Sequence, residues 1–246
     1  MNDNYKREND KMKNKIILAS IALIIVLGII GFMAYGYYHK ATLEAQNPIV
    51  TMEIAEYGTV KMELYPEMAP NTVRNFIKLI NEGYYNGLTF HRVEESLIQG
   101  GDKAGTGAGT TEYTIEGEFK ENNHKENTLS FERGTLGLAR QDGTMLYYYT
   151  GDKKYLTAGY NSGCTQFFIT AEDCSENYDG YYCAFGKVIE GMDIVDQITK
   201  IETVVETDEE TGETEETTTP VNPPVITTMT VDTFGIKYKE PEKITE

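Results

Sequence analysis

Phe90-His91-Arg92-Val93-Glu94-Glu95-Ser96-Leu97-Ile98-Gln99-Gly100-Gly101-Asp102, answered downstream by Gln166-Phe167-Phe168-Ile169, decides how this chain is read. Residues 90–93, 98–102 and 166–169 combine one arginine with amides and aromatic rings and contain no serine, threonine, cysteine or lysine nucleophile. A fixed cation, hydrogen-bonding side chains and an apolar pocket suit chemistry that holds and orients a chain without attacking it covalently.

Upstream, Val50, Met52 and Ile54 alternate with polar neighbours, Tyr57-Gly58 turns the chain, and Val60, Met62 and Leu64 alternate again. That pattern predicts a β-hairpin. Pro70 suits the first turn of a helix, and Val73, Phe76, Ile77 and Ile80 recur at helical spacing until Gly83. The glycine-rich run 100–109 excludes regular structure, and residues 113–115 resume an extended pattern. Residues 136–139, 166–169 and 182–188 read as short buried strands. A second helix is expected over 192–201, with Ile194, Val195 and Ile198 on one side, and residues 225–234 read as a last strand. Many short strands with two helices predict a mainly β domain, a barrel or sandwich with helical caps.

Two segments break this rhythm. Residues 142–160 are polar and glycine-punctuated yet carry Tyr147, Tyr148, Tyr149, Tyr155 and Tyr160, while 202–219 hold eight acidic residues and no basic one. The first reads as an insertion and the second as a solvated excursion. Residues 237–246 read as a tail that frays toward its end.

The N-terminus has a different character. Residues 16–38 carry no charged side chain, and at about 1.5 Å per helical residue they reach about 34 Å, enough to cross a hydrocarbon core of about 30 Å. Lys6, Arg7, Lys11, Lys13 and Lys15 precede this run, whereas only His39 and Lys40 follow closely. The positive-inside bias therefore predicts a cytoplasmic segment 1–15, a single transmembrane anchor 16–38, a linker 39–48 and an extracytoplasmic domain from 49 to 236. The apolar run exceeds the usual signal-peptide core, which favours an uncleaved anchor.

With a net charge of −17 for the whole chain and the basic cluster confined to its start, the domain is strongly acidic. It should repel nucleic acid and anionic headgroups. Cys164, Cys174 and Cys183 are an odd number without C-x-x-C spacing, so a single bridge and three free thiols both remain open. Gly105-Thr106-Gly107-Ala108-Gly109 lacks the spacing of a nucleotide loop. The run from Ser175 to Gly186 lacks the acidic first and twelfth positions of a calcium loop. His39, His91 and His124 are scattered, so no metal site is expected, and His91 within its apolar stretch reads as a packed strand residue.

Asn75-Phe76, Gly83-Tyr84-Tyr85-Asn86-Gly87, Phe90-His91-Arg92-Val93, Gln99-Gly100-Gly101-Asp102, Gly105-Thr106-Gly107, Gly117-Glu118-Phe119, Gln166-Phe167-Phe168-Ile169 and Phe185-Gly186-Lys187-Val188 together resemble the cyclophilin family of peptidyl-prolyl cis-trans isomerases. Each motif is weak alone. In this order, over about residues 49–201 and again at 225–234, they are specific. The resemblance implies a closed eight-stranded antiparallel β-barrel capped by two α-helices, here preceded by the transmembrane helix. It implies Arg92 as the catalytic arginine and Gln99 as the glutamine that holds it and the substrate backbone. It implies Leu97 and Phe168 as walls of the proline pocket, and Ala139, Arg140, Gln166, Tyr178 and Tyr182 as further substrate-contacting positions. No cofactor is implied. The expected partners are proline-containing segments of unfolded or exported proteins.

Departures from the family pattern matter as well. Glu94-Glu95-Ser96 makes the Arg92 to Gln99 spacing one residue shorter than usual and places Ser96, or a gap, where a pocket phenylalanine is expected. That suggests a weaker pocket, and with it an alternative role as a non-catalytic chaperone or peptide-binding module. Asn177 falls near a position where many eukaryotic members carry tryptophan, which implies weak cyclosporin binding.

Overall fold

In the computed structural model, which describes residues 2–42, 46–109, 111–207 and 214–245, the chain forms two compact units, residues 1–46 and 47–246. The first is the single helix α1 (Asn2–Thr42). Its stretch Met12–Gly36 is long and apolar enough to cross a membrane, with none of it buried.

The second unit is built on an antiparallel sheet. Strands β1 (Ile49–Ile54) and β2 (Gly58–Leu64) form the expected hairpin, with Val50 opposite Met62 and Met52 opposite Val60. All four point inward and are fully buried, the consequence of a period-two pattern on a sheet with one covered face. Six further strands complete it: β3 (Phe90–Val93), β4 (Leu97–Gly100), β5 (Thr135–Leu138), β6 (Phe167–Thr170), β7 (Cys183–Glu190) and, beyond the acidic excursion, β10 (Ile226–Asp232). Their order is β10-β1-β2-β7-β5-β6-β4-β3.

The sheet is curled but open, which corrects the expectation of a closed barrel. Edge strands β10 and β3 are joined by no continuous ladder among the described residues. Their meeting point is the isolated bridge Thr89 to Val225, flanked by bonds from Gly87 N to Ile226 O (2.7 Å), Ile226 N to Leu88 O (2.8 Å) and Phe90 N to Pro224 O (3.0 Å). Pro223 and Pro224 sit at this seam, and a proline has no N–H to extend a ladder.

Helix α2 (Pro70–Asn81) lays its apolar face on the concave side of the sheet. Phe76 meets the rings of Phe185, Tyr85 and Phe167 at centroid distances of 5.1, 5.1 and 5.4 Å. Its N-cap, Ala69, has no side chain able to cap. The buried carboxylate of Glu118 substitutes from afar, accepting from Asn71 N (2.9 Å), Thr72 N (2.7 Å) and Thr72 Oγ1 (2.8 Å). A carboxylate there satisfies donors that the first helical turn leaves free and faces the positive end of the helix dipole.

The insertion over 142–160 contains two short helices not expected from its composition, α3 (Thr144–Thr150) and α4 (Lys154–Ala158), and α5 (Ser175–Tyr178) is a further single turn. The second capping helix is α6 (Met192–Ile198), with Ile194, Val195 and Ile198 buried as expected. The acidic excursion carries a hairpin of its own, β8 (Thr203–Thr207) with β9 (Thr214–Pro220); residues 208–213 lie outside the described residues. Residues 113–115, expected to be extended, contribute one bridge, Thr114 to Ile244. That bridge also corrects the fraying tail. Glu242 N donates to Asn71 Oδ1 (2.7 Å), and Asn71 Nδ2 returns a bond to Glu242 O (2.9 Å).

Candidate active groove

Sheet register places three of the candidate residues in one row. Arg92 in β3 is paired with Gln99 in β4, Gln99 with Phe168 in β6, Phe168 with Gly137 in β5, and Gly137 with Ala184 in β7. Side chains of directly opposed residues share a face, so the row lies on the outer face of the sheet. Neighbours in sequence point the other way: Phe167 enters the main core, whereas Phe168 belongs to a separate outer cluster. Strand alternation thus gives two adjacent phenylalanines two different roles.

At one end of the row, hydrogen bonds link three side chains and end on a backbone carbonyl. Arg92 Nη1 donates to Gln99 Oε1 (3.0 Å), Gln99 Nε2 to Gln166 Oε1 (2.9 Å), and Gln166 Nε2 to Gly107 O (3.0 Å). Arg92, Gln99 and Gln166 are therefore brought together as expected. Sequence reading missed Glu94, whose Oε1 accepts from Arg92 Nε (2.8 Å) and Nη2 (2.5 Å). The strand pattern held the signal, because residues i and i+2 share a face.

The apolar end gathers Leu97 and Phe168, the expected pocket walls, and Ala139, Tyr178 and Tyr182, expected to contact substrate, with Phe131, Leu129, Cys174 and Ala184. Phe131 was not foreseen. Its ring stacks on Phe168 (5.5 Å, 18° between planes), and Tyr178 and Tyr182 meet Phe168 edge-on at 5.6 and 5.9 Å. Asp179 fixes the Phe131 segment, accepting from Phe131 N (2.7 Å) and Ser130 Oγ (2.6 Å). Ser96 contributes no wall; its carbonyl accepts from Ala171 N (2.7 Å) in a tight turn closed by Glu94 N to Leu97 O (2.9 Å). An aromatic ring from a distant segment thus packs in the region where the Ser96 turn supplies none. The cluster is tightly closed, with Phe168 3% and Leu97 2% exposed.

Arg140 stands apart from the Arg92 chain. Its guanidinium lies over the rings of Tyr182 (4.4 Å), Tyr160 (5.2 Å) and Phe119 (5.7 Å), and it donates to Tyr181 O (2.9 Å) and Gln141 O (2.8 Å). It braces the base of the insertion against the aromatic wall. Burial pushes the Tyr182 hydroxyl up to about 12, so it stays protonated and donates to Asp142 Oδ2 (3.3 Å). Asp142 Oδ1 in turn accepts from Thr144 N (2.9 Å) at the start of α3.

From Gln99 and Gln166 a cleft of about 890 Å³ extends past Ala139, Arg140 and Tyr113 to Ala158 at the end of α4. Its glycine-rich wall is organised by Asp102, whose carboxylate accepts from the backbone N–H of Ala104, Thr106, Gly107 and Gly109. Burial alone would raise the Asp102 pKa, but these four bonds outweigh it and hold it below the ordinary value. Gly101, at φ +92°, passes so close to Thr165 that an added Cβ would stand 2.4 Å from its carbonyl oxygen. His91 is buried, and neither ring nitrogen has a hydrogen-bond partner among the described residues. Burial lowers its pKa, in keeping with a packed strand residue. Cys164, Cys174 and Cys183 are all free and buried, which decides their pairing. Burial raises each thiol's pKa, that of Cys183 to about 12.

A family model described as cyclophilin type peptidyl-prolyl cis-trans isomerase/CLD matches residues 49–231. Peptidyl-prolyl cis-trans isomerase B of Bacillus subtilis is 41% identical over 135 residues, which cover 54% of this chain and 78% of that protein. A peptidyl-prolyl cis-trans isomerase of Helicobacter pylori is 34% identical over 179 residues, 65% of this chain and 96% of that protein. Among solved structures, a cyclophilin-type isomerase of Cryptosporidium parvum is similar in fold, with a TM-score of 0.56 at 24% identity, covering 76% of this chain and 98% of that one. A structure of the same protein in the presence of the dipeptide Ala-Pro gives 0.54 at 25% identity, covering 75% and 98%.

Proposed function

The chain belongs to the cyclophilin-type peptidyl-prolyl cis-trans isomerases, and from that premise we propose that Arg92 and Gln99 carry its isomerase activity while Leu97, Ala139, Gln166, Phe168, Tyr178 and Tyr182 hold the substrate. The observation that carries this reading is the row Arg92, Gln99, Phe168 across three paired strands. It sets a cation, an amide and an aromatic ring side by side at fixed strand spacing.

Rotation about an X-Pro bond must break amide resonance, a barrier of about 18–20 kcal/mol. In the twisted amide the prolyl nitrogen regains a lone pair. A guanidinium directed at that nitrogen stabilises the twisted state more than either planar state, which is the condition for acceleration. Gln99 orients Arg92 and, with Gln166, offers amide groups to the peptide backbone. The apolar cluster holds the proline ring while the preceding carbonyl swings. No bond is made or broken. Arg140 acts by bracing the wall rather than by touching the reacting amide.

The clients are proline-containing segments of exported or surface proteins, a reading supported by α1. Its apolar stretch and the lysines before it fit one membrane span with segment 1–15 in the cytoplasm and residues 49–236 outside. The Ala-Pro dipeptide named for the Cryptosporidium parvum structure supports a proline-peptide ligand. Cyclosporin binding is weak on this reading because exposed Asn177 offers no indole; inhibition at nanomolar concentrations would overturn that.

A second reading, a peptide-binding module without turnover, rests on the near-complete burial of Phe168. A soluble chain of residues 48–246, compared with Arg92→Ala in a proline-peptide isomerisation assay, separates the two. Turnover lost with the arginine supports the catalytic assignment. Binding of unfolded protein without turnover in either form supports the module.

A further inference from the structure

Val93 points into the core and is 3% exposed, so Arg92 and Glu94 on either side of it share the outer face of β3 and its turn. Glu94 is itself held in place, because its backbone N–H closes the turn onto Leu97 O. A guanidinium has five N–H donors in a planar fork. The Glu94 carboxylate takes those of Nε and one of Nη2, and Gln99 takes one of Nη1. That leaves one N–H on each terminal nitrogen. The pair is partly exposed, with 40% of the Arg92 and 29% of the Glu94 side chain open to solvent, and such pairs add little to stability. What it does supply is orientation: a long side chain with several rotatable bonds is clamped along one edge by a carboxylate and at one terminal nitrogen by an amide.

We propose that Glu94 is a positioning residue of the isomerase. It locks the Arg92 guanidinium so that its two unoccupied N–H groups are presented to the X-Pro amide before the substrate arrives. The inference rests on the reading of Arg92 as the catalytic cation. The short turn makes it possible: with Glu95 and Ser96 as the two central residues, Glu94 stands at the turn's first position, directly beside the arginine.

The test uses the full chain in detergent micelles and an X-Pro peptide followed by exchange NMR, which separates kcat from KM. Glu94→Ala should lower kcat about tenfold with KM changed by less than about twofold, the pattern of lost orientation. Glu94→Gln keeps an acceptor oxygen and should recover most of the loss, whereas a merely structural role would show equal melting shifts and no such recovery. If Glu94→Ala folds poorly, Glu94→Asp, one methylene too short to clamp, should lower kcat partially. Unchanged kcat in the variants, or a loss confined to KM, overturns the inference. Arg92→Ala is run beside them: if it retains full kcat, the reading of Arg92 fails instead, and if it loses turnover while the Glu94 variants do not, the inference alone fails.

Discussion

Gly137 lies under the ring of Phe168: the two are register partners across β5 and β6, and a Cβ added at 137 would stand 2.1 Å from Phe168 Cζ. The absence of a side chain on one strand is what lets the aromatic ring of the next lie flat against the sheet. Gly137→Ala should therefore tilt Phe168 out of its stack with Phe131. We expect KM for a proline peptide to rise about tenfold, since precise placement governs the loss, with the fold retained. An unchanged KM, measured by the same exchange experiment, would show that the ring does not contact proline.

Glu118 should matter to stability rather than to turnover. Its carboxylate is buried and accepts three bonds at the start of α2. Glu118→Ala strands two buried backbone donors, which costs about 3 kcal/mol, or roughly 6–12 °C in melting temperature for a domain of this size. A drop below about 1 kcal/mol in denaturant titration would mean that water replaces the carboxylate, since a solvated cap is worth about that much.

Acid should loosen the glycine-rich wall of the cleft. Because the folded-state pKa of Asp102 is depressed, its contribution is fully present above the unfolded-state value of about 3.9 and is lost as pH falls through the lower folded value. Amide protection at Ala104, Thr106 and Gly107 should hold down to about pH 3.9, the ordinary carboxylate value, and fall only below it, as pH drops through the depressed folded value. Protection that is flat across that window would contradict the assignment.

The tyrosine-rich insertion should serve extended clients. Met145, Leu146, Tyr148 and Tyr149 are 51–78% exposed on α3. The insertion's two ends meet, since a Cβ at Gly159 would stand 1.9 Å from Gln141 O. Deleting residues 144–158 should weaken binding of an unfolded protein several-fold, because exposed aromatic area is what it presents, and leave a short X-Pro peptide unaffected. Equal effects on both ligands, measured by calorimetry, would remove the insertion from any client-binding role.

Several elements were legible in the sequence because their signals are local. Alternation over Val50 to Leu64 fixed a hairpin, and Pro70 with Val73, Phe76, Ile77 and Ile80 fixed a helix, since each pattern repeats within one window. Arg92, Gln99, Gln166 and Phe168 were legible through their motifs. The two short helices of the insertion were not: they are exposed, their residues form no apolar stripe, and their ends rest on turns such as the Asp142 bond to Thr144.

Local patterns along the chain establish which residues alternate, which face they take, and that one arginine is set among amides and aromatics. What those residues meet is set by the packing of distant segments. The Phe131 ring stacked on Phe168, the carboxylate of Glu118 at a helix it does not belong to, the docked segment at Glu242 and Ile244, and the open seam at Pro224 all depend on contacts between distant segments. A period of two or 3.6 says which side of an element is apolar. It does not say which distant segment will cover that side, because that choice is made by packing all the elements into one volume at once.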